Sequence, residues 1–173
     1  FALEELGIDY SSDIIEWNIY STIAYAAVHH NDEYLKNKRK NETLTSKELN
    51  QYLTDNYSKE DGTPLFSATG KEPLCKYRLT HNVALNLVAA VQTVNNSVDI
   101  STVSIKDKEQ YDLFWHSSPC QNFSLAGNNK GGDEGSGTSS SLLYESIRLI
   151  KENTPKIVIW ENVKGALAKK HIH

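Results

Sequence analysis

Short apolar runs that end in polar residues alternate along the chain with segments of helical periodicity. The clearest run covers residues 156–160, and residues 111–115 and 13–17 follow the same pattern. We predict strands at all three, with the strand at 111–115 buried. Apolar residues at helical spacing predict amphipathic helices over residues 19–29 and from about 140 to 152. Strands that alternate with helices indicate an α/β fold whose strands pair in parallel.

Capping signals sharpen the predicted helix bounds. Asn18 is a candidate N-cap for the helix that begins at residue 19. Thr45 and Glu48 have the spacing of a capping box and predict a further helix to about Leu53. Residues 81–95 are rich in Ala, Leu and Val and predict another. The apolar face expected of the helix at 140–152 consists of Leu143, Ile147 and Ile150.

The composition indicates one soluble domain. The chain has 173 residues, 39% of them hydrophobic and 23% charged, and no apolar run approaches 18 residues, which excludes a membrane span and argues against wholesale disorder. A net charge of −4 gives no overall nucleic-acid signature. Two cysteines, Cys75 and Cys120, are too few for a disulfide framework, which favours a reducing compartment.

Residues 30–97 differ in composition from the rest of the chain. They are rich in Lys, Asn, Glu and Thr, and we interpret them as a polar, partly helical insertion into a single domain that spans residues 1–173. The chain contains no Met and opens on a helix-like FALEEL segment. We therefore interpret it as a fragment of a longer protein, or equally as the ordered part of one.

Four chemically capable side chains follow predicted strands. Glu16 ends the first strand, Asp99 lies at the predicted strand end 98–100, Cys120 follows the strand at 111–115, and Glu161 follows the strand at 156–160. Because the carboxyl ends of parallel strands form the ligand-binding edge of such sheets, we expect these side chains to gather there. A lone Cys is more often a small buried hydrophobe, but a strand-to-loop corner would expose Cys120 as a nucleophile.

Several other interpretations of single motifs stay open. The glycine-rich stretch 130–138 lacks the Gly-Lys-Ser/Thr ending of a phosphate cradle and favours a flexible loop. The histidines at 29–30 and at 171 and 173 lack companion ligands, so we predict no metal. The basic run at 36–40 is either a DNA phosphate contact or a solvated helix face. A cysteine hydrolase using Cys120 would need a base, for which His81 and His116 are candidates.

Two motifs resemble a known family. Residues 119–127, PCQNFSLAG, resemble the cysteine loop of the DNA (cytosine-5)-methyltransferases, and Glu161-Asn162-Val163 resembles their second signature, in the same order and at similar spacing. Upstream, Glu16-Trp17 and Asp99-Ile100 resemble the family's cofactor-binding pairs. The resemblance implies a Rossmann-like S-adenosylmethionine-dependent methyltransferase fold, a mostly parallel sheet with flanking helices that is incomplete at both ends of this chain.

The resemblance also implies a mechanism. The Cys120 thiolate would add to C6 of a flipped-out cytosine, Glu161 would hydrogen-bond N3, and C5 would then accept the methyl group of S-adenosylmethionine. The glycine-rich segment 121–138 would close over the base. The resemblance further assigns cofactor contacts to Glu16, Trp17, Asp99, Ile100, Pro119 and Leu142, and contacts to the target nucleotide or the cysteine loop to Gln121, Ser124 and Asn162.

The implied partner is double-stranded DNA, with a cognate restriction endonuclease system, in a monomer located in the cytoplasm of a bacterium or encoded by a phage. No membrane association is expected. Ser139 stands where the family commonly has an arginine and Asn18 where it has an aspartate. We expect the family's target-recognition domain to lie outside this chain. The alternative is an inactive or split methyltransferase fragment that binds cofactor or a partner chain.

Overall fold

The computed structural model describes residues 5–117 and 142–164. Contacts divide the chain after Asp99 into a first unit, residues 1–99, and a second unit, residues 100–173. The elements of the first unit are β1 (Asp13–Ile14), α1 (Ile19–His29), α2 (Asn31–Asn41), α3 (Ser46–Asn56), α4 (His81–Thr93) and β2 (Asn95–Asn96). Those described in the second unit are β3 (Leu113–Ser117), α5 (Leu142–Asn153) and β4 (Ile157–Glu161).

Helix α4 is the centre of the first unit. Helices α1, α2 and α3 all pack against it. Alanine and branched apolar residues cover most of its circumference, which allows three neighbours to approach closely. Its buried residues are Ala84, Leu85, Leu87, Val88, Ala89, Ala90 and Val91. The 30–97 segment therefore supplies much of the apolar core of this unit.

The predicted caps are confirmed. The Asn18 Oδ1 accepts hydrogen bonds from the N–H groups of Tyr20 at 2.9 Å and Ser21 at 3.1 Å. At the start of α3 the Thr45 hydroxyl accepts from the Glu48 N–H, and the Glu48 carboxylate accepts from the Thr45 N–H at 2.7 Å. Each cap satisfies N–H groups that have no partner within the first turn of a helix.

Both described strand pairs are parallel, as predicted. In the first unit Asp13 pairs with Asn95 and Ile14 with Asn96. In the second unit β3 and β4 pair over their whole length, from Leu113 with Ile157 to Ser117 with Glu161. The α/β class is thus supported by mixed helices and short parallel sheets, and the Rossmann-like sheet stays a prediction.

Two strand predictions were wrong in part. The strand before Asp99 ends at Asn96, not within 98–100, because Val98 adopts a left-handed backbone conformation with φ of 61°. The strand predicted at 111–115 begins at Leu113 and is not buried, since Leu113 is 38% and Trp115 68% exposed. The strand predicted at 13–17 is confirmed over only two residues.

The buried face of α5 also differs from the prediction. Leu143, Ile147 and Ile150 are only partly buried. The buried residues are instead Ser146, Leu149 and Asn153. The reason is that the face carrying Asn153 meets backbone groups of residues 105–111, which need polar partners.

Within the described parts of the chain, none of the helices has the length and apolar character needed to cross a membrane.

Candidate functional site

Glu16 lies two residues after the end of β1 and is half-buried. One carboxylate oxygen accepts a hydrogen bond from the Asn18 N–H at 2.7 Å. Burial raises the pKa of Glu16, and hydrogen bonds from the backbone of Asn18 and Trp17 oppose this shift. Since a carboxylate can accept about four hydrogen bonds, acceptor capacity remains for a ligand hydroxyl.

Trp17 is fixed through both its side chain and its backbone. The indole is partly buried and packs against the apolar cluster of the first unit. The carbonyl of Trp17 accepts from the Ser67 N–H at 2.8 Å, and the Ser67 carbonyl accepts from the Ile19 N–H at 3.0 Å. The 30–97 segment therefore pairs directly with the backbone that carries Glu16 and Trp17.

Asp99 follows the left-handed Val98 at the end of the first unit. Its carboxylate lies 3.5 Å from the Lys59 Nζ, an ion pair that joins it to the 30–97 segment. Glu16 and the Asp99 segment are brought together by Asn96, whose Oδ1 accepts from the Glu16 N–H at 3.0 Å. Ile100 begins the second unit, where its carbonyl accepts from Arg148 at 2.9 Å.

Glu161 ends β4 in the second unit and is exposed. The parallel register sets it opposite Ser117, the last residue of β3. In Asn162 the side-chain oxygen accepts from the Val163 N–H at 2.8 Å. Cys120 follows Ser117 by three residues in the sequence. The strand end that leads to Cys120 therefore lies beside Glu161.

Four residues expected at the site lie outside the described ranges, namely Pro119, Cys120, Gln121 and Ser124. Leu142, the remaining expected cofactor contact, is the first residue of α5 and is partly buried.

His116 lies among aromatic side chains of the β3–β4 sheet. Its ring is stacked with that of Trp160 at 8°, with centroids 6.2 Å apart, and Phe114 lies 5.7 Å away. Burial lowers the pKa of His116. His81, the other candidate base, begins α4 in the first unit. Cys120, the nucleophile of the cysteine-hydrolase hypothesis, lies outside the described residues.

A known protein family matches the part of the chain that contains β3 and β4. The family described as C-5 cytosine-specific DNA methylase matches residues 89–173, a span that includes both Cys120 and Glu161. Over this span the chain belongs to the C-5 cytosine-specific DNA methylase family. The family predicted from the sequence motifs is thereby confirmed.

Similarity to some individual proteins covers more of the chain than the family match does. The chain is 34% identical over 149 residues to the Type II methyltransferase M2.ScrFI of Lactococcus lactis subsp. cremoris, covering 86% of the chain and 39% of the relative. It is 28% identical over 163 residues to the Orphan methyltransferase M.SssI of Spiroplasma monobiae, covering 91% and 41%. It is 38% identical over 67 residues to the Type II methyltransferase M.HhaI of Haemophilus parahaemolyticus, covering 39% and 20%. The chain thus spans about two fifths of the length of the first two relatives.

The 30–97 segment belongs partly to these similarities. A match over 86% or 91% of the chain necessarily runs through it, whereas the family match begins only at residue 89. The segment is therefore included in the similarity to the Lactococcus and Spiroplasma relatives and mostly outside the family match.

Two further predictions concern possible metal ligands and the basic run at 36–40. Among the described residues no group of three or more His, Cys, Asp or Glu side chains could hold a metal. In the basic run, Lys36 is exposed and forms an ion pair with Glu33 at 3.1 Å. Lys38, Arg39 and Lys40 lie in the last turn of α2, where basic side chains complement the helix dipole.

The sequence patterns missed Asn96 as a residue of the candidate site. Its side chain contacts residues up to 80 positions away in the sequence, so no local spacing marks it. The only local signal is a pair of asparagines, Asn95 and Asn96, directly after the apolar helix α4.

Proposed function

We propose that the chain carries the cofactor-binding and catalytic part of a DNA cytosine-5 methyltransferase. The enzyme would transfer a methyl group from S-adenosylmethionine to C5 of cytosine in double-stranded DNA. The observation that carries this proposal is the register of β3 and β4, which sets the strand end leading to Cys120 beside Glu161. A nucleophile and an acid at one sheet edge are what covalent activation of a pyrimidine requires.

The chemistry begins with the weak nucleophilicity of cytosine C5. The Cys120 thiolate adds to C6, which turns C5 into an enamine-like carbon. Glu161 hydrogen-bonds N3 and stabilises the charge that develops on the ring. S-adenosylmethionine, when bound, supplies an electrophilic methyl group. Loss of the C5 proton then expels the Cys120 thiolate and restores the aromatic ring.

The residues of the first unit fit the cofactor chemically. Glu16 offers a carboxylate with remaining acceptor capacity for the ribose hydroxyls, and Trp17 offers an indole face for the adenine. Asp99 supplies an acceptor for the adenine amino group. Ile100, Pro119 and Leu142 complete the proposed contacts.

Double-stranded DNA is the proposed substrate, and the target base must be flipped out because C6 is inaccessible in a stacked duplex. Gln121 and Ser124 would contact the backbone of the flipped nucleotide, and Asn162 would hold the cysteine loop. Two of the relatives are named Type II methyltransferases, which supports membership of a restriction-modification system. The proposed enzyme is a monomer located in the cytoplasm. The catalytic domain would include the 30–97 insertion, with target recognition residing elsewhere in the protein.

Covalent trapping tests the proposal. The complete polypeptide is incubated with S-adenosylmethionine and a pool of random duplexes that contain 5-fluorocytosine, whose C5 fluorine cannot leave as a proton. We expect a protein–DNA adduct that peptide mass spectrometry locates on Cys120.

The second cysteine provides a matched control, because Cys75 is exposed and free. The adduct should persist in Cys75→Ala and vanish in Cys120→Ala. Absence of any adduct from a folded protein that binds the cofactor would contradict the proposal and support an inactive or split methyltransferase.

A further inference from the structure

The side chain of Asn96 joins two backbone segments of the first unit. Its Oδ1 accepts from the Glu16 N–H at 3.0 Å and from the Val98 N–H at 2.9 Å. Its Nδ2 donates to the Glu16 carbonyl at 2.8 Å and to the Thr22 hydroxyl at 3.1 Å. The Asn96 amide therefore bonds both the N–H and the carbonyl of Glu16, and also the N–H of Val98, the residue before Asp99.

The segment that Asn96 holds is strained. Val98 has a φ of 61°, a left-handed conformation that is rare for a β-branched residue, and it is only 3% exposed. Such a conformation persists where the surroundings fix it, and it is concentrated at functional sites. The hydrogen bond from the Val98 N–H to Asn96 acts directly on this residue. It therefore helps to set the direction in which the chain continues to Asp99.

We propose that Asn96 is a positioning residue of the cofactor site. Through the backbone it fixes Glu16 relative to Asp99, so that both carboxylates are preorganised for one ligand. This inference rests on the proposed function, in which Glu16 contacts the ribose and Asp99 the adenine of S-adenosylmethionine. Asn96 itself need not touch the cofactor.

The neighbouring Asn95 makes a different contact and serves as a matched control. It is exposed, and its Nδ2 donates to the Asp13 carboxylate at 2.6 Å. This bond joins two side chains at the start of the strand pair, and none of the hydrogen bonds of Glu16 involves Asn95. Loss of this hydrogen bond should leave the carboxylates of Glu16 and Asp99 in place.

The test compares Asn96→Ala and Asn95→Ala in the complete polypeptide. Calorimetry measures the Kd for S-adenosylmethionine, and steady-state kinetics separates KM for the cofactor, KM for DNA and kcat. For Asn96→Ala we expect Kd and cofactor KM to rise about tenfold or more, the effect of one lost preorganising contact, while the KM for DNA stays unchanged. Asn95→Ala should stay within about twofold of the wild type.

A second variant covers the case in which Asn96→Ala fails to fold. Thr22 is fully buried, and its hydroxyl both accepts from Asn96 and donates to the Glu16 carbonyl at 3.3 Å. Thr22→Val keeps the shape and removes these bonds. It should raise the cofactor KM in the same direction as Asn96→Ala and by a smaller factor.

The possible failures are distinguishable. A wild-type protein that does not bind S-adenosylmethionine contradicts the proposed function. A wild type that binds it, with folded Asn96→Ala and Thr22→Val variants of unchanged cofactor KM, overturns the role of Asn96 alone. A purely structural role would instead lower kcat through loss of active protein and leave both KM values unchanged.

Discussion

The two units hold their candidate site residues by different means. In the first unit, Glu16 and Trp17 adjoin a large apolar core centred on α4. In the described part of the second unit, Ile105 and Leu149 are the buried apolar residues, and β3 and β4 have exposed apolar side chains. The site residues of the first unit are thus ordered by an apolar core together with the hydrogen bonds of Asn96, whereas hydrogen bonds predominate in the described part of the second unit.

The polar network of the second unit is formed by the last two turns of α5. The Asn153 amide donates to the carbonyls of Ile105 at 3.2 Å and Glu109 at 3.1 Å, and its oxygen accepts from the Tyr111 N–H at 2.7 Å. Glu152 accepts from the Ile105 N–H at 2.9 Å. These bonds fix the backbone that leads into β3.

Truncating a core side chain should give the largest difference between the units. Phe66 is fully buried in the first unit, whereas Trp115 in β3 is 68% exposed. Phe66→Ala should lower the free energy of unfolding by about 3–5 kcal/mol through lost burial and a residual cavity. Trp115→Ala should change it by less than about 0.5 kcal/mol. Urea denaturation measures both, and equal losses would refute the contrast in burial.

Removing the Asn153 amide in the second unit should have the next largest effect on the free energy of unfolding. Asn153→Ala leaves buried backbone groups without partners and should cost about 2–3 kcal/mol in the free energy of unfolding. Asn56→Ala is the control, because its exposed amide donates only to the Tyr52 carbonyl within α3. If Asn153→Ala proved as harmless as Asn56→Ala, hydrogen bonds would not be what orders this unit.

Removing the capping box should destabilise the protein less than Phe66→Ala or Asn153→Ala does. Thr45→Ala removes the hydroxyl that accepts from the Glu48 N–H and should cost about 1 kcal/mol. Thr54→Ala, an exposed substitution inside the same helix, should be neutral or slightly stabilising because Ala has the higher helix propensity. Thermal unfolding followed by circular dichroism compares the two, and a reversed order would contradict the assignment of the cap.

Neutralising Glu16 should have the smallest effect on the free energy of unfolding, and this effect should depend on pH. Because burial raises its pKa above 4.5, the folded state binds this proton more tightly than the unfolded state. The contribution of Glu16 to stability is therefore greatest below pH 4.5 and is lost as the pH rises through the raised value. Glu16→Gln should accordingly be more stable than the wild type at pH 7 and should lose this advantage in acid.

Glu48→Gln should show the opposite sign in the same titration. Hydrogen bonds from the Thr45 backbone and hydroxyl lower the pKa of Glu48, so its contribution is present above pH 4.5 and is lost as the pH falls through the lowered value. Parallel denaturation series at pH 3 to 7 measure both variants. If the stability difference from the wild type changed with pH in the same direction for both variants, burial would not be what sets the pKa of Glu16.

Helix bounds could be predicted because their determinants are local. Asn18 caps residues two and three positions away, and Thr45 and Glu48 bond each other across one turn. The strands were less predictable, since β1 is only two residues long and the backbone after it bonds to Asn96 and Ser67 instead of continuing the pair. These partners are distant in sequence and leave no periodic signal.

The candidate site was predictable to the extent that its residues lie in motifs. The sequence predicted that Cys120 and Glu161 follow strands of one parallel sheet, and the pairing of Ser117 with Glu161 agrees with this. Asn96 was not predictable, because its role depends on hydrogen bonds that span 80 residues. The polar buried face of α5 was missed for a similar reason: Asn153 serves a backbone segment more than 40 residues earlier.

The most direct test of the proposed division between cofactor binding and chemistry is the rate of Cys120 adduct formation as a function of S-adenosylmethionine concentration. For Glu16→Ala we expect the half-saturating cofactor concentration to rise about tenfold while the maximal rate is retained. For Glu161→Gln we expect the maximal rate to fall with half-saturation unchanged. A lower maximal rate for Glu16→Ala at unchanged half-saturation, or a shifted half-saturation for Glu161→Gln, would contradict the assignment of Glu16 to cofactor binding and of Glu161 to the chemical step.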